Sequence, residues 1–180
     1  MSPVVITRPD ASEYAPYFAT YVDEVPAGDV LATLTRQVED TCSLLSGLSD
    51  AEAAYRYAPG KWSIKEVIGH VADTERIMVY RALCFARGET AMLPGFDENA
   101  YVAGASFDTR SLDDLLAELR TVRAATVPLF ASLNAQELER RGRANNRDYS
   151  VRAFPFIIAG HERHHVDILR ERYLPRARAR

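Results

Sequence analysis

Four segments of the sequence repeat apolar residues at intervals of three or four, and this pattern constrains the fold more than any other feature. The first segment runs from Asp29 to Leu48. Its apolar positions form one stripe: Leu31, Leu34, Val38, Cys42, Leu45 and Leu48. Such spacing places the side chains on one face of an α-helix. No segment alternates convincingly between apolar and polar residues, so we expect an all-α protein without strands.

The second and third helices have recognisable ends. Ser63 and Glu66 form a capping box at the start of the second helix, and Gly88 is expected to end it. The third helix is expected to start near Ser111, with aspartates in its first turn. Pro128 is expected to kink this helix, because proline lacks an amide hydrogen and clashes with the preceding turn.

A short helix and a fourth long helix complete the pattern. Asn134 and Glu137 resemble a second capping box, and Gly142 is expected to end the short helix. The fourth long helix is expected to follow Ser150 and to reach about Tyr173, where Leu174-Pro175 would end it. Four long amphipathic helices in one chain predict a four-helix bundle.

The connection from Gly88 to Thr109 is unusually long for such a bundle and contains several glycines and a proline. Its length predicts a crossover over the end of the bundle, or a lid. We expect residues 1–180 to form a single domain with its core at about 25–174. Residues 175–180 would then form a basic, solvated tail.

The composition excludes several classes of protein. In the 180 residues, 47% are hydrophobic and 26% are charged, which is typical of globular proteins. The net charge of -3 provides no general attraction to nucleic acids or acidic membranes, and we expect neither as a partner. The sequence has no apolar run long enough to span a membrane, and we expect no signal peptide. Two cysteines without a disulfide pattern favour a cytoplasmic location.

Three of the four histidines lie within five residues of the fourth helix. His161 and His165 are about 40° apart around the helix axis, in the middle of its apolar face. His164 lies at the edge of that face. Two imidazoles at positions i and i+4 can reach one metal ion. The alternative is a pair of core histidines held by hydrogen bonds.

The fourth histidine can supply a third ligand from another helix. His70 lies at the edge of the apolar stripe of the second helix and is expected to face the interior or a groove. Histidines on facing helices are how metal sites in bundle cores are built. Three protein ligands leave a coordination position open, which is typical of a catalytic metal site.

Residues 161–165 also match the H-E-x-x-H pattern of zinc metalloproteases. The third ligand that such proteases need downstream is missing, because only Glu171 is available near the end of the chain. The pattern therefore does not support a protease. Glu162 stays a candidate catalytic residue that would orient metal-bound water, and the alternative is an ordinary solvated glutamate.

Three motifs together resemble the DinB-like superfamily. They are Lys61-Trp62-Ser63-Ile64-Lys65-Glu66, Gly69-His70-Val71-Ala72-Asp73-Thr74-Glu75-Arg76 and Gly160-His161-Glu162-Arg163-His164-His165. The resemblance implies a four-helix bundle, often homodimeric, that binds a divalent metal with three histidines. By position these ligands would be His70, His161 and His165, whereas His164 has no counterpart in the pattern.

The resemblance implies two kinds of function. Characterised relatives include transferases and isomerases that use low-molecular-weight thiols such as mycothiol or bacillithiol. We therefore expect thiol transfer to an electrophile, or hydrolysis of a small substrate, at the metal. The alternative is a non-catalytic metal-binding bundle that acts as a sensor, a buffer or a stress-related partner protein.

The sequence leaves the metal and the substrate open. Three imidazoles suit zinc and nickel, and also iron, manganese or copper. Candidate residues of the substrate pocket are Trp62, Asp73, Tyr101, Arg123 and Tyr149. Asp73 lies about one turn from His70 and is expected to be either a hydrogen-bond partner of that ligand or an exposed helix residue.

Overall fold

The protein, represented by a computed structural model that describes residues 5–177, is organised around four long helices. These helices are α2 (Val30–Leu45), α4 (Ile64–Ala86), α6 (Leu112–Ala131) and α8 (Ala153–Ile168). The shorter elements are α1 (Ala19–Glu24), α3 (Asp50–Ala53), α5 (Glu98–Gly104), α7 (Ala135–Glu139), α9 (Leu174–Ala177), β1 (Arg141–Ala144) and β2 (Arg147–Ser150). The predicted all-α four-helix bundle is confirmed.

The order of the long helices around the bundle differs from their order along the chain. α2 packs against α6 and α8, and α4 packs against the same two helices. α2 and α4 therefore occupy opposite corners, and the chain crosses the bundle between them. Across residues 5–177, no helix combines the length and the apolar character that crossing a membrane requires.

The predicted helix starts are confirmed by their capping hydrogen bonds. The side chain of Asp29 accepts a hydrogen bond of 2.8 Å from the amide of Leu31. Ser63 and Glu66 form the expected capping box, and Ser111 caps α6. These caps satisfy amides that the first helical turn leaves without partners.

Several predicted helix ends are wrong. The first helix ends at Leu45 rather than Leu48, because the chain turns at Gly47, whose φ is +90°. The fourth helix continues beyond Leu174-Pro175. A π-helical turn at Leu169–Tyr173 follows α8 and leads into α9. The predicted tail begins inside α9, and residues 178–180 lie outside the described part of the chain. The kink at Pro128 stays a prediction.

The expectation that the chain has no strands is also wrong. β1 and β2 form an antiparallel hairpin in which Gly142 lies opposite Tyr149, so Gly142 does not end the short helix. Asn145 and Asn146 form its turn with φ values of 50° and 59°, the left-handed conformation that tight hairpins require. Neither strand alternates apolar and polar residues, which is why the pattern did not predict them.

The long connection after Gly88 is more ordered than predicted. It contains α5 and a 3-10 turn at Phe107–Thr109, and Leu93 pairs with the hairpin. The amide of Leu93 donates a 2.8 Å hydrogen bond to the carbonyl of Arg143. The hairpin therefore anchors this connection beside the bundle.

The core begins earlier in the chain than the predicted residue 25. α1 packs along α8, and its residues Tyr21 and Val22 are buried. Gly160 permits this contact, because a Cβ atom there would lie 2.0 Å from the carbonyl oxygen of Tyr21. Residues preceding α2 thus form part of the structure that surrounds His161.

The buried apolar residues form two clusters, one toward each end of the bundle. Polar side chains lie between them along α4, α6 and α8. Glu75, Arg123 and Glu162 are buried in this layer, and His161 belongs to the same level of α8. The candidate functional site therefore lies near the middle of the bundle.

Candidate metal centre

The structure brings together His70 of α4 with His161 and His165 of α8. The Nε2 atom of His161 lies 3.1 Å from the Nε2 atom of His70 and 3.1 Å from that of His165. Among the histidine, cysteine and acidic side chains of residues 5–177, these three histidines form the group whose ligand atoms all lie within 4.8 Å of one another. His164 is not part of that group.

Two glycines allow the elements that carry these histidines to pack closely. Gly69 precedes His70, and a Cβ atom on it would lie 2.4 Å from the ring of Phe107. Gly160 precedes His161 and is covered by the backbone of Tyr21. Both Gly-His pairs of the sequence therefore have a packing reason for the glycine.

Aromatic side chains surround the three imidazoles. The centroid of the Trp62 ring lies 4.7 Å from that of His70 and 6.4 Å from that of His165. The ring of Tyr21 meets His161 edge-on at 5.6 Å. The hydroxyl oxygen of Thr74 lies 3.5 Å from Nδ1 of His70, on the side of the ring away from His161. These neighbours restrict how the rings can turn.

The site favours neutral imidazoles. Burial lowers the pKa of His70 to about 4. Burial, with the charges of His70 and His164, lowers the pKa of His165 to about 3. Burial and the other three histidines lower the pKa of His161 well below its usual range. At neutral pH the three rings are therefore uncharged and each retains one nitrogen lone pair.

This donor set fits a divalent transition metal. Imidazole nitrogens bind zinc at about 2.0–2.1 Å, which separates the ligands of a tetrahedral ion by about 3.3 Å. The observed 3.1 Å contacts of His161 are close to that separation. Hydrogen bonds alone would satisfy the cluster poorly, since one nitrogen of His161 faces two others and carries at most one proton.

The histidines form part of the wall of a cavity of about 650 Å³. One stripe of α4 lines it, because His70, Thr74, Met78 and Arg81 follow one another at intervals of three or four residues. Trp62, Tyr149 and residues of the hairpin turn line other walls. The cavity has the size and the mixed polar and apolar lining of a small-molecule site.

Glu162 does not face this cavity. Its carboxylate accepts a 2.6 Å hydrogen bond from Thr41 and a 2.7 Å hydrogen bond from Arg123. Arg123 also forms two 2.8 Å hydrogen bonds with Glu75 and donates to the carbonyl of Leu34. Both the candidate catalytic role and the solvated alternative for Glu162 are therefore wrong, because its oxygens serve a buried network that joins all four long helices.

The sequence profile of the DinB superfamily matches residues 33–169. The chain belongs to the DinB superfamily. The matched range includes the three histidines of the cluster and all four long helices except the first three residues of α2, and it excludes α1.

Two relatives of this DinB-superfamily chain carry further information. A protein of Oceanobacillus iheyensis, named as a candidate metal-dependent hydrolase, is 23% identical over 137 residues, which are 76% of this chain and 77% of the relative. The structure of YfiT from Bacillus subtilis matches 91% of this chain and 92% of its own with a TM-score of 0.67 and 18% identity. YfiT is described as a probable metal-dependent hydrolase with an unusual four-helix bundle topology.

Two of the five residues predicted for the pocket of this DinB-superfamily protein line the cavity. Trp62 and Tyr149 do so. Asp73 does not, because it pairs with Arg76 on the surface of α4 at 3.1 Å. Arg123 does not, because it lies in the buried network. Tyr101 does not line the cavity either, because it is about half exposed on the surface. Its ring contacts Phe96, which does line the cavity.

Other cavity residues were not predicted. Tyr21 comes from α1, which lies outside the predicted core, and Asn145 and Asn146 come from the unpredicted hairpin turn. Arg81 could have been found, because it lies three residues after Met78 on the apolar stripe of α4. A charged residue at such a position is either paired in the core or directed at a site.

Proposed function

We propose that this protein is a metal-dependent enzyme in which His70, His161 and His165 hold one divalent cation and a small molecule reacts in the adjoining cavity. Zinc or nickel suits the three imidazoles best. The reaction is a displacement in which a small nucleophile, a low-molecular-weight thiol or water, gives up a proton and bonds to an electrophilic carbon of the substrate as the leaving group departs with the bonding electrons. Thiol transfer and hydrolysis are the two forms of this chemistry.

The position of the histidines in the cavity wall carries the proposal. All three line the same open cavity of about 650 Å³, so a ligand can approach the point toward which their nitrogens converge. A purely structural metal site has four protein ligands and no such approach. This observation favours the enzyme over a metal buffer or sensor.

The residues around the histidines suit this chemistry. A divalent metal bound there would act as a Lewis acid and lower the pKa of a thiol or water ligand. Thr74 faces Nδ1 of His70, which leaves the Nε2 lone pair directed toward the other two rings. Trp62 and Tyr21 cover the imidazoles and limit the access of bulk water.

Metal analysis tests the site. Purified protein should bind about one equivalent of Zn²⁺ or Ni²⁺ per chain by isothermal titration and elemental analysis, and His161→Ala or His165→Ala should abolish this binding. His164→Gln is the matched control, because His164 is on the same helix but outside the cluster. If His164→Gln loses metal as completely as His161→Ala, the assignment of the ligands is wrong.

Loading with metal should also stabilise the folded chain. A ligand that binds only the folded state at a hundredfold excess over its dissociation constant contributes about 2.7 kcal/mol. This corresponds to a rise in melting temperature of roughly 5–11 °C for a chain of this size. His70→Ala should lose most of the rise and still fold. A full rise in His70→Ala would exclude His70 as a ligand.

Activity assays separate the two reactions. The metal-loaded protein should accelerate the reaction of a low-molecular-weight thiol with an aryl halide, or the hydrolysis of an activated ester or amide, and His161→Ala should not. A protein that holds its metal and catalyses neither reaction across a broad panel would favour the sensor or buffer.

A homodimer is also part of the proposal, and light scattering would measure the oligomeric state.

A further inference from the structure

Arg81 is buried in the wall of the cavity with much of its hydrogen-bonding capacity unused. It is 4% exposed, although it carries a guanidinium group. Within residues 5–177 its hydrogen-bond acceptors are the carbonyl of Pro94 at 2.9 Å and the sulfur of Met78 at 3.8 Å. A guanidinium has five N–H donors, and neither of these acceptors carries a charge.

The contrast with Arg123 shows that the charge of Arg81 is uncompensated. Arg123, which is 2% exposed, forms ion pairs with two carboxylates. Arg81 forms no ion pair with any residue of the described chain. Buried charges are normally paired, so a buried arginine that faces a cavity without a partner indicates an anionic ligand.

The surroundings hold Arg81 in a fixed position. The carbonyl of Pro94 accepts from its Nη2 atom, and the neighbouring Leu93 is anchored to the hairpin by hydrogen bonds of 2.8 and 3.0 Å. The centroid of the Phe96 ring lies 5.8 Å from the guanidinium carbon. These contacts spare a ligand the cost of ordering a long side chain.

The cavity near Arg81 has an excess of positive charge. Apart from the histidines, the charged residues in its wall are Arg81, Arg147 and Glu98. Burial raises the pKa of Tyr149, and the charges of Arg81 and Arg147 oppose that rise. Both arginines therefore contribute positive charge to the same part of the cavity. Among the described residues, Glu98 forms no ion pair with Arg81.

Arg81 and the metal centre lie at two ends of one surface. His70 and Arg81 are separated by eleven positions of α4, or about 16 Å along its axis, and face the same side of the helix. Thr74 and Met78 lie between them and also line the cavity. A ligand that reaches both ends must be elongated.

We infer that the cavity binds an elongated small molecule whose anionic end, a carboxylate or a phosphate, is held by Arg81 while its other end lies at the three histidines. This inference rests on the proposed function and adds the chemical class of the substrate. Arg81 binds the part of the substrate that does not react and so positions the reacting end. Arg147 contributes a second, more exposed positive charge.

Metal-binding probes with different tails test this inference. Hydroxamic acids bind transition metals, so octanohydroxamic acid reports on the metal centre alone. Suberic monohydroxamic acid has the same chain with a carboxylate at its end. The series contains monohydroxamic acids from the succinic to the suberic length, and each is compared with its uncharged analogue. In at least one pair the carboxylate should strengthen binding to the Zn²⁺-loaded protein about 10- to 150-fold.

Variants assign that gain to Arg81. Arg81→Gln should remove the gain and leave the binding of octanohydroxamic acid and the Zn²⁺ content unchanged. Arg76→Gln is the matched control, because Arg76 lies on the same helix and pairs with Asp73 and Glu118 on the surface. Glu98→Gln should keep or increase the gain, since it removes the negative charge of the cavity wall. Arg81→Lys, which keeps the charge, should retain part of it.

Two results would overturn the inference. One is that no carboxylate tail of any length strengthens binding to the wild-type protein, and the other is that the gain persists in Arg81→Gln. A failure of the metal site on which the proposed function rests is distinguishable, because octanohydroxamic acid would then not bind. In that case suberate binding to the metal-free protein, measured by titration calorimetry, must be lost in Arg81→Gln. A series with phosphonate tails distinguishes the two anions.

Discussion

Replacing Arg123 with methionine should destabilise this protein more than almost any other single change. Arg123 is 2% exposed, and the side chains of Glu75 and Glu162 with which it pairs are each 1% exposed. Burial alone would lower the pKa of Arg123, but its hydrogen bonds and attraction to the two carboxylates outweigh burial and raise it. The arginine is therefore charged in the folded state, and its removal leaves two carboxylates without a counter-ion.

The expected loss can be estimated from this geometry. Removing one partner of a buried ion pair costs about 3–5 kcal/mol, because the remaining charge is desolvated without compensation. Arg123→Met should lie at the upper end of this range, since it removes four hydrogen bonds of 2.6–2.8 Å as well as the charge. The melting temperature should fall by roughly 10–20 °C.

Urea unfolding followed by circular dichroism measures this effect, and two further variants identify its cause. Arg120→Met lies one turn earlier and removes an exposed pair with Glu39, so it should cost less than about 1 kcal/mol. The triple variant Glu75→Leu, Arg123→Met, Glu162→Gln should regain most of the loss, because no buried charge remains. A loss below about 1 kcal/mol in Arg123→Met would refute the reasoning. So would a triple variant less stable than the single one.

Two further predictions concern packing and pH. Gly160→Ala should lower the free energy of unfolding by about 1–3 kcal/mol, because its Cβ would displace the backbone of Tyr21. Gly104→Ala has open space around it and should be neutral or slightly stabilising. Thermal melting measures both variants. Hydrogen bonds from Arg152 lower the pKa of Glu13 from 4.5 to about 2. The ionised carboxylate of Glu13 therefore stabilises the fold above pH 4.5, and this stabilisation is lost as the pH falls toward 2. Glu13→Gln should therefore cost about 2 kcal/mol in urea unfolding at pH 7 and about 1 kcal/mol less at pH 3.5; a constant difference would contradict the pairing.

The features that could be predicted from the sequence are those with a local cause. A helix cap depends on residues three or four apart, so the caps at Ser63 and Ser111 follow from the sequence alone. The placement of His161 and His165 on one face of a helix is equally local. The contact with His70, from a helix 91 positions earlier, needed the additional assumption that both apolar faces meet in one core.

The features that were missed depend on distant contacts. The hairpin of β1 and β2 has few apolar residues, and Asn145-Asn146 at its turn was the available signal. The packing of α1 depends on Gly160, whose role is visible only when the backbone of Tyr21 is placed against it. Both elements line the cavity, so the part of the site that contacts a substrate was predicted less well than the histidines.

Four buried charged residues of the long helices show why the sequence alone does not reveal the role of each. Along α4, α6 and α8 there are two buried acids and two buried arginines, each three or four residues from a buried neighbour on its own helix: Glu75, Arg81, Arg123 and Glu162. Their charges sum to zero, which suggests two ion pairs. The packing instead gives both carboxylates to Arg123 and leaves Arg81 in the cavity wall. Which arginine serves the core and which is available to a ligand is therefore decided by how the four helices are arranged, since the local pattern around the two residues is the same.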